Sequence, residues 1–383
     1  MDARAYFDWN ATAPLRPEAR AAMLAALDAP RNASSVHAEG RATRKIVEEA
    51  RAKIAALAGA EPQNVIFTSG ATEANMLALT PSIGGAPPRD RLFVSAIEHP
   101  SVRAGGRFAP EAVEVLPVTR DGVLDLEALE TALSRTTHPL VSVMLANNET
   151  GVIQPIRRAA DLVHAAGGLL HVDAVQGAGR IPVRMGKLGA NLLSVSSHKI
   201  GGPQGAGALI RRQGLSPDPL IKGGGQERGF RAGTENVAAI AGFGAASEAA
   251  QRGMATEASR MAGLRDRLEA EIRAITPDVV IFGAAAERLP NTSLVAVPGT
   301  KAETGLIAFD LNGIALSSGA ACSSGKVQSS HVLEAMGIAP DLARAALRIS
   351  LGWETTESDL DRLLNAWKKV VSSLRRGQHG RAA

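Results

Sequence analysis

The sequence predicts an α/β fold in which a large, doubly wound and mainly parallel sheet domain is joined to a smaller α+β domain. Short apolar runs alternate with amphipathic stretches in the middle of the chain, and this pattern changes after about residue 250. The chain has 383 residues, of which 45% are hydrophobic and 21% charged, which is typical of a globular protein long enough for two domains. We assign residues 16–250 to the large domain, and residues 1–15 and 251–383 to the small one.

The large domain is predicted from buried strands that helices separate. Near-continuous apolar character suits a parallel sheet covered on both faces. One intervening helix, over 156–167, is closed by glycine. The predicted strands are NVIFTS (64–69), RLFVSA (91–96), LVSVMLA (140–146), GLLHVDAV (168–175) and NLLSVS (191–196).

The small domain is predicted from a long helix, several short strands and a C-terminal helix. The last helix begins near Thr356 and Asp359, which match a capping box. The long helix carries Met261, Leu264, Leu268, Ile272 and Ile275 on one face. The strands predicted between the two helices are DVVIFG, TSLVAVPG, LIAFDL and ALRISLG.

Composition and charge argue against several functions. The net charge of +4 is small, and there is no basic stripe with interleaved aromatic residues, so a nucleic-acid partner is not expected. No apolar run approaches the ~20 residues of a membrane span, and the first residues show no apolar h-region and no cleavage-site pattern, so we expect no secretion signal. We therefore expect no membrane partner and a cytoplasmic location. The single cysteine, Cys322, cannot close an intrachain disulfide.

Polar residues follow three of the predicted strands, at the edge where open α/β sheets bind ligands. The turn 70–73 opens a helix and can offer backbone N–H groups to a phosphate, although it also fits an ordinary turn. His99 is interpreted as a base, a ring-stacking partner or a satisfied core residue. Asn147 and Asn148 can donate to a ligand oxygen, although turns use the same residues.

Two further strand ends carry charged residues. Asp173 ends a strand among apolar residues, where a carboxylate needs a partner such as a protonated ring nitrogen; a metal site with His171 is the alternative. Lys199 follows an apolar strand, where desolvation lowers an amine pKa from ~10.4 and makes the amine nucleophilic. A solvated loop lysine is the alternative. A phosphate site, an amine, a carboxylate and an amide together describe a site for pyridoxal 5′-phosphate.

Motifs along nearly the whole chain resemble those of the NifS/IscS-like cysteine desulfurases, fold-type I pyridoxal phosphate enzymes in the class V aminotransferase group. The family usually reads ATTP where this chain has Ala11-Thr12-Ala13-Pro14, so a hydroxyl is missing at position 13. The matching motifs are FDWNATAPL (7–15), NASSVHAEGR, TSGATEAN, SAIEHPSV, NNETGVIQP, HVDAVQ, SSHKIGGPQGAGAL, GGGQERGFRAGTENV, SSGAACSSG and LRISLG.

The resemblance implies a role for each residue around the cofactor ring. Lys199 would bond the cofactor aldehyde, and His99 would stack on the pyridine ring and help to move protons. Asp173 would pair with the ring nitrogen. Gln176 and Asn148 would hydrogen-bond the ring hydroxyl or the substrate.

The resemblance also implies how the phosphate and the substrate are held. Arg348 would grip the substrate carboxylate through its guanidinium fork. Thr234 would reach the phosphate of the neighbouring subunit, which implies a homodimer. The residues expected to hold the phosphate within one subunit are Ala71, Thr72, Ser196 and His198.

Cys322 lies in SSGAACSSGK (317–326), among small residues that permit a thiol to move. The resemblance implies that Cys322 takes the sulfur of L-cysteine as a persulfide and passes it to a sulfur acceptor or an iron–sulfur scaffold protein. A transient role as an iron–sulfur cluster ligand is also implied. Lys326 favours the thiolate, whereas a buried, inert cysteine is the alternative.

Three other functions stay open from the sequence. A selenocysteine lyase would use the same cofactor site. Another class V enzyme would leave Cys322 incidental. A protein without catalysis would act only as a docking platform for a scaffold protein.

Overall fold

The computed structural model describes residues 4–28, 31–318 and 330–379. Cys322 and the rest of 319–329 lie outside the described residues. The strands are β1 Ala5–Tyr6, β2 Val65–Thr68, β3 Ile83–Gly84, β4 Leu92–Ser95, β5 Val113–Leu116, β6 Leu140–Met144, β7 Leu169–Asp173, β8 Leu192–Ser196, β9 Gly207–Arg211, β10 Ser216–Pro217, β11 Val280–Ile281, β12 Thr292–Ala296, β13 Ile314–Ala315 and β14 Ala346–Ser350. The helices are α1 Pro17–Asp28, α2 Ala38–Ala58, α3 Ala71–Ala78, α4 Pro100–Arg103, α5 Leu126–Leu133, α6 Ile156–Ala165, α7 Met185–Leu188, α8 Val237–Ile275, α9 Ala302–Leu311, α10 His331–Ala335, α11 Pro340–Ala343 and α12 Glu357–His379.

Seven strands form one mixed sheet in the order β2-β9-β8-β7-β6-β4-β5. Strand β9 runs antiparallel to β2 and β8, whereas the other neighbours are parallel. The five strands predicted for the large domain correspond to β2, β4, β6, β7 and β8, and the predicted fold class is confirmed. The carboxyl ends of these five strands lie at one edge of the sheet, and this edge carries the residues considered below.

Both faces of this sheet are buried, which explains the near-continuous apolar runs. In β2, Val65 and Phe67 belong to one apolar cluster, together with residues of α2, α6 and α8. Ile66 points the other way, into a second cluster that includes Leu77 of α3. Successive residues of a strand point to opposite faces, so each strand contributes to both clusters.

Helix α8 is longer than the sequence predicts, because it begins at Val237 rather than after residue 250. Residues 239–244 are all buried, so this half of the helix shows no one-sided apolar pattern. It packs on α1 and α2, and Gly244 permits a close approach, since a Cβ there would lie 2.6 Å from the Cα of Ala50. The second half packs on α12. The domain boundaries assigned above stay a prediction.

The C-terminal part of the chain builds a second core around Trp367. Strands β11, β12 and β14 form an antiparallel sheet, and β1 pairs in parallel with β13. The capping box of α12 is confirmed: the Thr356 amide donates to Asp359 (2.9 Å), and the Asp359 amide donates to the Thr356 hydroxyl (3.1 Å).

One predicted strand is wrong. The run LIAFDL (306–311) lies in helix α9. Gly305 and Phe309, four residues apart, are buried, whereas Ile307 and Leu311 are exposed, which is a helical spacing. A short apolar run alone does not distinguish a strand from a helix. Among the helices of the described ranges, none has the length and apolar character to cross a membrane.

Candidate active site

A cavity of about 590 Å³ opens at the carboxyl edge of the large sheet. Strands β2, β4, β6, β7 and β8 all deliver residues to it. Ten of the twelve residues predicted above line this cavity: Ala71, Thr72, His99, Asn148, Asp173, Gln176, Ser196, His198, Lys199 and Arg348. The remaining two, Thr234 and Cys322, are considered below.

Lys199 lies on a short turn that directly follows β8. Its Nζ donates to the backbone carbonyl oxygens of Asn10 and Ala11, both at 2.7 Å. Desolvation, followed by the positive charges of Arg348 and Arg180, lowers the pKa of Lys199 to about 7. A large fraction of the amine is therefore neutral near pH 7, and a nucleophilic amine requires this form. These contacts do not fit a solvated loop lysine.

Asn10, which the sequence analysis did not single out, fixes the carbonyl groups that hold Lys199. Its side chain is fully buried and donates to the Thr292 hydroxyl (2.9 Å) and to the Asn148 carbonyl (3.2 Å). Its own side-chain oxygen accepts from Asn291 (3.1 Å). The N-terminal segment is thereby joined to both cores beside the lysine.

Asp173 ends β7 and is only 5% exposed. One carboxylate oxygen accepts from the Val175 amide (3.0 Å), and the other from the side chain of Asn75 (2.9 Å). Both donors are neutral, so they do not neutralise the buried negative charge. A protonated ring nitrogen would supply that missing charge.

The arrangement around His171 does not fit the alternative of a metal site. The Ser142 hydroxyl engages one ring nitrogen of His171 (2.8 Å), and the Ser194 hydroxyl engages the other (2.9 Å). Burial lowers the pKa of His171 to about 4, so the ring is neutral. Within the part of the chain that the structure describes, no group of three or more His, Cys, Asp or Glu residues could hold a metal ion.

His99 follows β4 and is exposed to the cavity, so it is not a core residue. The Ser101 amide donates to its Nδ1 (3.2 Å), and the Ser101 hydroxyl lies 2.8 Å from the same atom. Because a backbone N–H can only donate, Nδ1 carries no proton, and the neutral ring is protonated on Nε2. Desolvation lowers the pKa of His99, against the opposing effect of Asp173.

Asn75 connects Asp173 with Ser101, the serine that contacts His99. The sequence analysis did not single out Asn75. Its amide nitrogen donates to Asp173 and to the Ser101 hydroxyl, both at 2.9 Å. It lies inside α3, five residues after the glycine that opens the helix, and is only 1% exposed. One neutral side chain therefore orients both Asp173 and the serine that contacts His99.

Arg348 reaches the cavity from β14 and is already partnered. It donates to Asp8 (2.7 Å) and to the carbonyl oxygen of Asn148 (3.0 Å). A substrate carboxylate at this guanidinium would share it with Asp8.

The N-terminus of α3 lies at the cavity, with Ala71 and Thr72 in its first turn. The first N–H groups of a helix have no partners within it, so they are available to an anion. Gly207 of β9 permits the turn before α3 to approach closely, since a Cβ there would lie 2.5 Å from the carbonyl carbon of Gly70. These features suit a phosphate.

His198 faces the same cavity with a neutral ring. Its Nδ1 lies 3.1 Å from the Thr12 hydroxyl. Desolvation and the charges of Lys199 and Arg180 lower the pKa of His198 to about 4. Ala13, the departure noted in the sequence, donates its amide to the His198 carbonyl (2.9 Å) and does not line this cavity.

Thr234 is not brought to the main cavity within one subunit. It is exposed and lines an adjacent cavity of about 210 Å³, which shares Ser69, Gly205 and Ala206 with the main one. Its expected contact with a neighbouring subunit stays a prediction.

Cys322 lies outside the described residues, but both ends of its segment attach to the site. Ser317 pairs with Arg348 through backbone hydrogen bonds of 2.6 and 3.2 Å. On the other side, the Ser330 hydroxyl donates to Glu149 (2.5 Å), and His331 lines the cavity.

The fold is that of the class of fold-type I enzymes, which work with pyridoxal phosphate. Residues 5–363 match the family Aminotransferase class-V, and the chain belongs to this family. It is 43% identical to a cysteine desulfurase of Cereibacter sphaeroides, with 97% of each chain covered. It is 40% identical to the cysteine desulfurase IscS of Dictyoglomus turgidum, over 98% of this chain and 96% of the relative. A solved NifS-like protein from Rickettsia africae has a TM-score of 0.88 at 36% identity, covering 96% of this chain and 99% of that one. The resemblance predicted from the motifs is confirmed.

Proposed function

We propose that this chain is a cysteine desulfurase, which uses pyridoxal 5′-phosphate to convert L-cysteine into L-alanine and a persulfide on Cys322. The observation that carries the proposal is that Lys199 and Asp173 line the same cavity. An amine with a pKa of about 7 and a buried carboxylate with neutral partners line one cavity at the start of a helix. Curated relatives named cysteine desulfurase cover nearly the whole chain and support the assignment.

The residues present fit the cofactor. Lys199 would bond its aldehyde, Asp173 would pair with its ring nitrogen, and His99 would stack on the ring. Gln176 and Asn148 would hydrogen-bond its ring hydroxyl or the substrate. When bound, pyridoxal phosphate supplies an aldehyde for an amine and a ring that accepts the electrons released at Cα. Its phosphate would be held by the start of α3, through Ala71 and Thr72, and by Ser196 and His198.

Within this arrangement the chain positions the substrate and moves one proton. Arg348 binds the substrate carboxylate, and the adjacent Asp8 keeps the guanidinium in place. The neutral Nζ of Lys199 takes the Cα proton of the substrate. The neutral His99 ring holds its proton on Nε2 and can donate it, whereas Nδ1 is engaged by Ser101.

Sulfur transfer then needs the thiolate of Cys322. The thiolate attacks the substrate sulfur, so that an S–S bond forms and the Cβ–S bond breaks. The electron pair of the broken bond stays with Cβ, which takes a proton, and Lys199 returns to Cα the proton that it had taken, which completes L-alanine. L-cysteine and the enzyme thiol give L-alanine and the enzyme persulfide, without an external oxidant. The attachment of both segment ends to Arg348 and Glu149 supports a thiol that works at this site.

Three parts of the proposal extend beyond this chain. The enzyme would be a homodimer in which Thr234 reaches the phosphate of the neighbouring subunit. The persulfide would pass to an acceptor or an iron–sulfur scaffold protein, with Cys322 as a transient cluster ligand. The cytoplasm stays the location predicted from the sequence.

The decisive experiment measures L-alanine and sulfide released from L-cysteine, with dithiothreitol as the sulfur acceptor. Cys322→Ser should abolish release, whereas the control Ser323→Ala on the same segment should keep it. Unchanged activity in Cys322→Ser would contradict the persulfide role of Cys322 and favour another class V reaction. Preferential use of selenocysteine over L-cysteine would favour a selenocysteine lyase.

The cofactor is tested separately by its visible absorbance. The purified protein should bind pyridoxal phosphate and absorb visible light, and Lys199→Ala should lose the band of the lysine-bound form. A colourless protein that takes up no pyridoxal phosphate would contradict the proposal and support the docking platform.

A further inference from the structure

We propose that Arg180, a buried guanidinium whose hydrogen-bond partners are all neutral, is a positioning residue that sets the charge around Lys199 and fixes the Gln176 amide. This inference rests on the proposed function, because it assigns a role in the same site. Arg180 lies in the loop after β7 and was not singled out from the sequence.

Among the described residues, the contacts of Arg180 leave its charge without an opposite partner. The side chain is only 7% exposed. It donates to the backbone carbonyl of Gln176 (2.9 Å), to the side-chain oxygen of Gln176 and to the backbone carbonyl of Trp9 (3.3 Å). Desolvation and the charge of Arg348 lower the pKa of Arg180 to about 10, and no carboxylate opposes them. A buried cation is normally paired, so this exception calls for a function.

A second buried arginine near Lys199 is paired with a carboxylate, as buried cations usually are. Arg16 donates to the carbonyl of Ile200, next to Lys199, and is as buried as Arg180, with 6% exposure. It forms an ion pair with Glu257 (3.0 Å) and stacks over Trp353. Its charge is therefore neutralised locally, and it is not among the main causes of the pKa shift at Lys199. Arg16 is a matched control for Arg180.

The first consequence concerns the orientation of Gln176, which lines the cavity. Arg180 occupies the side-chain oxygen of Gln176, and the amide nitrogen donates to the Asn10 carbonyl (3.1 Å). The opposite orientation of the Gln176 amide would place its NH₂ group against the donors of the Arg180 guanidinium, and its oxygen against the Asn10 carbonyl oxygen. Arg180 therefore keeps the second N–H of this amide free for an anionic oxygen, such as the ring oxygen of the cofactor.

The second consequence concerns the charge at Lys199. The largest charge effects on the amine come from Arg348 of β14, Arg180 of the loop after β7, Asp8 of the N-terminal segment, and Asp173 at the end of β7. The nearby His198 ring is neutral. Arg348 and Asp8 form an ion pair, so their effects partly cancel. Arg180 is the cation among these groups that has no ion pair in the described chain, and it disfavours the protonated amine.

The test is the pH dependence of Lys199 acylation in the full chain after removal of cofactor. An amine-reactive reagent such as acetic anhydride labels only the neutral amine, and mass spectrometry reads the peptide that carries Lys199. Arg180→Gln removes the charge and should move the labelling midpoint upward from about pH 7. An upward shift of one pKa unit lowers the neutral fraction at pH 7 about fivefold. The double variant Arg16→Gln with Glu257→Gln removes a charge pair without changing the net charge, so it should leave the midpoint unchanged.

Arg180→Lys separates charge from hydrogen bonding, because it keeps the charge but loses the fork that holds Gln176. It should retain the midpoint of the parent and bind pyridoxal phosphate severalfold more weakly. A labelling midpoint of Lys199 that stays near pH 7 in folded Arg180→Gln would overturn the electrostatic role of Arg180. A midpoint raised equally in Arg180→Lys would also overturn it, because that variant keeps the charge. Cofactor affinity unchanged in Arg180→Lys would overturn the role at Gln176. Since labelling uses neither cofactor nor L-cysteine, a failed desulfurase assay would not alter these outcomes.

Discussion

Arg51 and Arg180 are almost equally buried, at 4% and 7% exposure, but their surroundings are opposite. Arg51 forms a two-pronged ion pair with Glu227, at 2.6 and 2.8 Å, which raises its pKa although burial opposes this. Arg180 has neutral partners and a lowered pKa. A neutralised buried charge acts mainly on structure, whereas one left without a counter-charge acts on the titration of its neighbours. The second kind lies beside Lys199.

The structural role of the Arg51 pair is to hold a strained turn. Glu227 and its neighbour Arg228 have φ values of 47° and 56°, in the left-handed region that residues other than glycine rarely adopt. The Glu227 carboxylate also accepts from the Phe67 amide in β2 (2.8 Å). The turn is thereby fastened to α2 and β2, a few residues before Thr234. Its shape depends on the ion pair.

The largest effect on stability is therefore expected from Arg51→Met. This change leaves the Glu227 carboxylate buried without its cation, which costs about 3–5 kcal/mol in comparable cases. Urea denaturation should show the loss as a lower midpoint. The double variant Arg51→Met with Glu227→Gln removes both charges and keeps an acceptor for Phe67, so it should recover much of the loss. If the double variant is as unstable as the single one, the unpaired charge is not the cause.

A buried acid sharpens the comparison, because Glu98 also has no counter-charge within the described ranges of the chain. One of its oxygens accepts from the Ser95 hydroxyl (2.7 Å) and the Met144 amide (2.6 Å), whereas the other is buried without a hydrogen-bond partner among the described residues. Desolvation and the nearby Asp173 raise the pKa of Glu98 to about 8. Glu98 therefore keeps its proton at neutral pH, where an unfolded glutamate has lost it.

The sign of the pH effect follows from this shift. The folded pKa lies above the unfolded one, so the contribution of Glu98 is fully present below about pH 4.5 and is lost as the pH rises to about 8. At ~1.4 kcal/mol per pKa unit, Glu98→Gln should remove a decline of a few kcal/mol across this window. Urea unfolding at pH 5, 6, 7 and 8 measures it. Parallel pH profiles for Glu98→Gln and the parent would contradict the raised pKa.

The sequence predicted most of the candidate site because strand ends define it. Asp173 and Lys199 were found from their position after apolar runs, and the parallel order of the strands brings them to one edge. Asn75 and Arg180 were missed, because their importance comes from contacts made only in the fold. The partner of Asn75 at Asp173 is 98 residues away, and burial of Arg180 in an irregular loop leaves no periodic pattern. For the same reason the sequence predicts a start of α8 that is too late, since residues 239–244 near its beginning are buried on every face.

The smallest expected effect comes from Ser101, which holds His99 through neutral hydrogen bonds alone. Ser101→Ala removes the hydroxyl that contacts His99 and Asn75, but the backbone amide still donates to Nδ1 of the ring. One neutral hydrogen bond contributes about 1 kcal/mol, so kcat for L-cysteine should fall about fivefold, with KM unchanged. Ser134→Ala, which removes an exposed hydroxyl directly after helix α5 and outside the cavity, should change neither constant. A fall in kcat above a hundredfold would mean that neutral contacts control this site as strongly as charge does. The contrast between the neutralised Arg51 and the Arg180 charge without a counter-charge would then not explain the site.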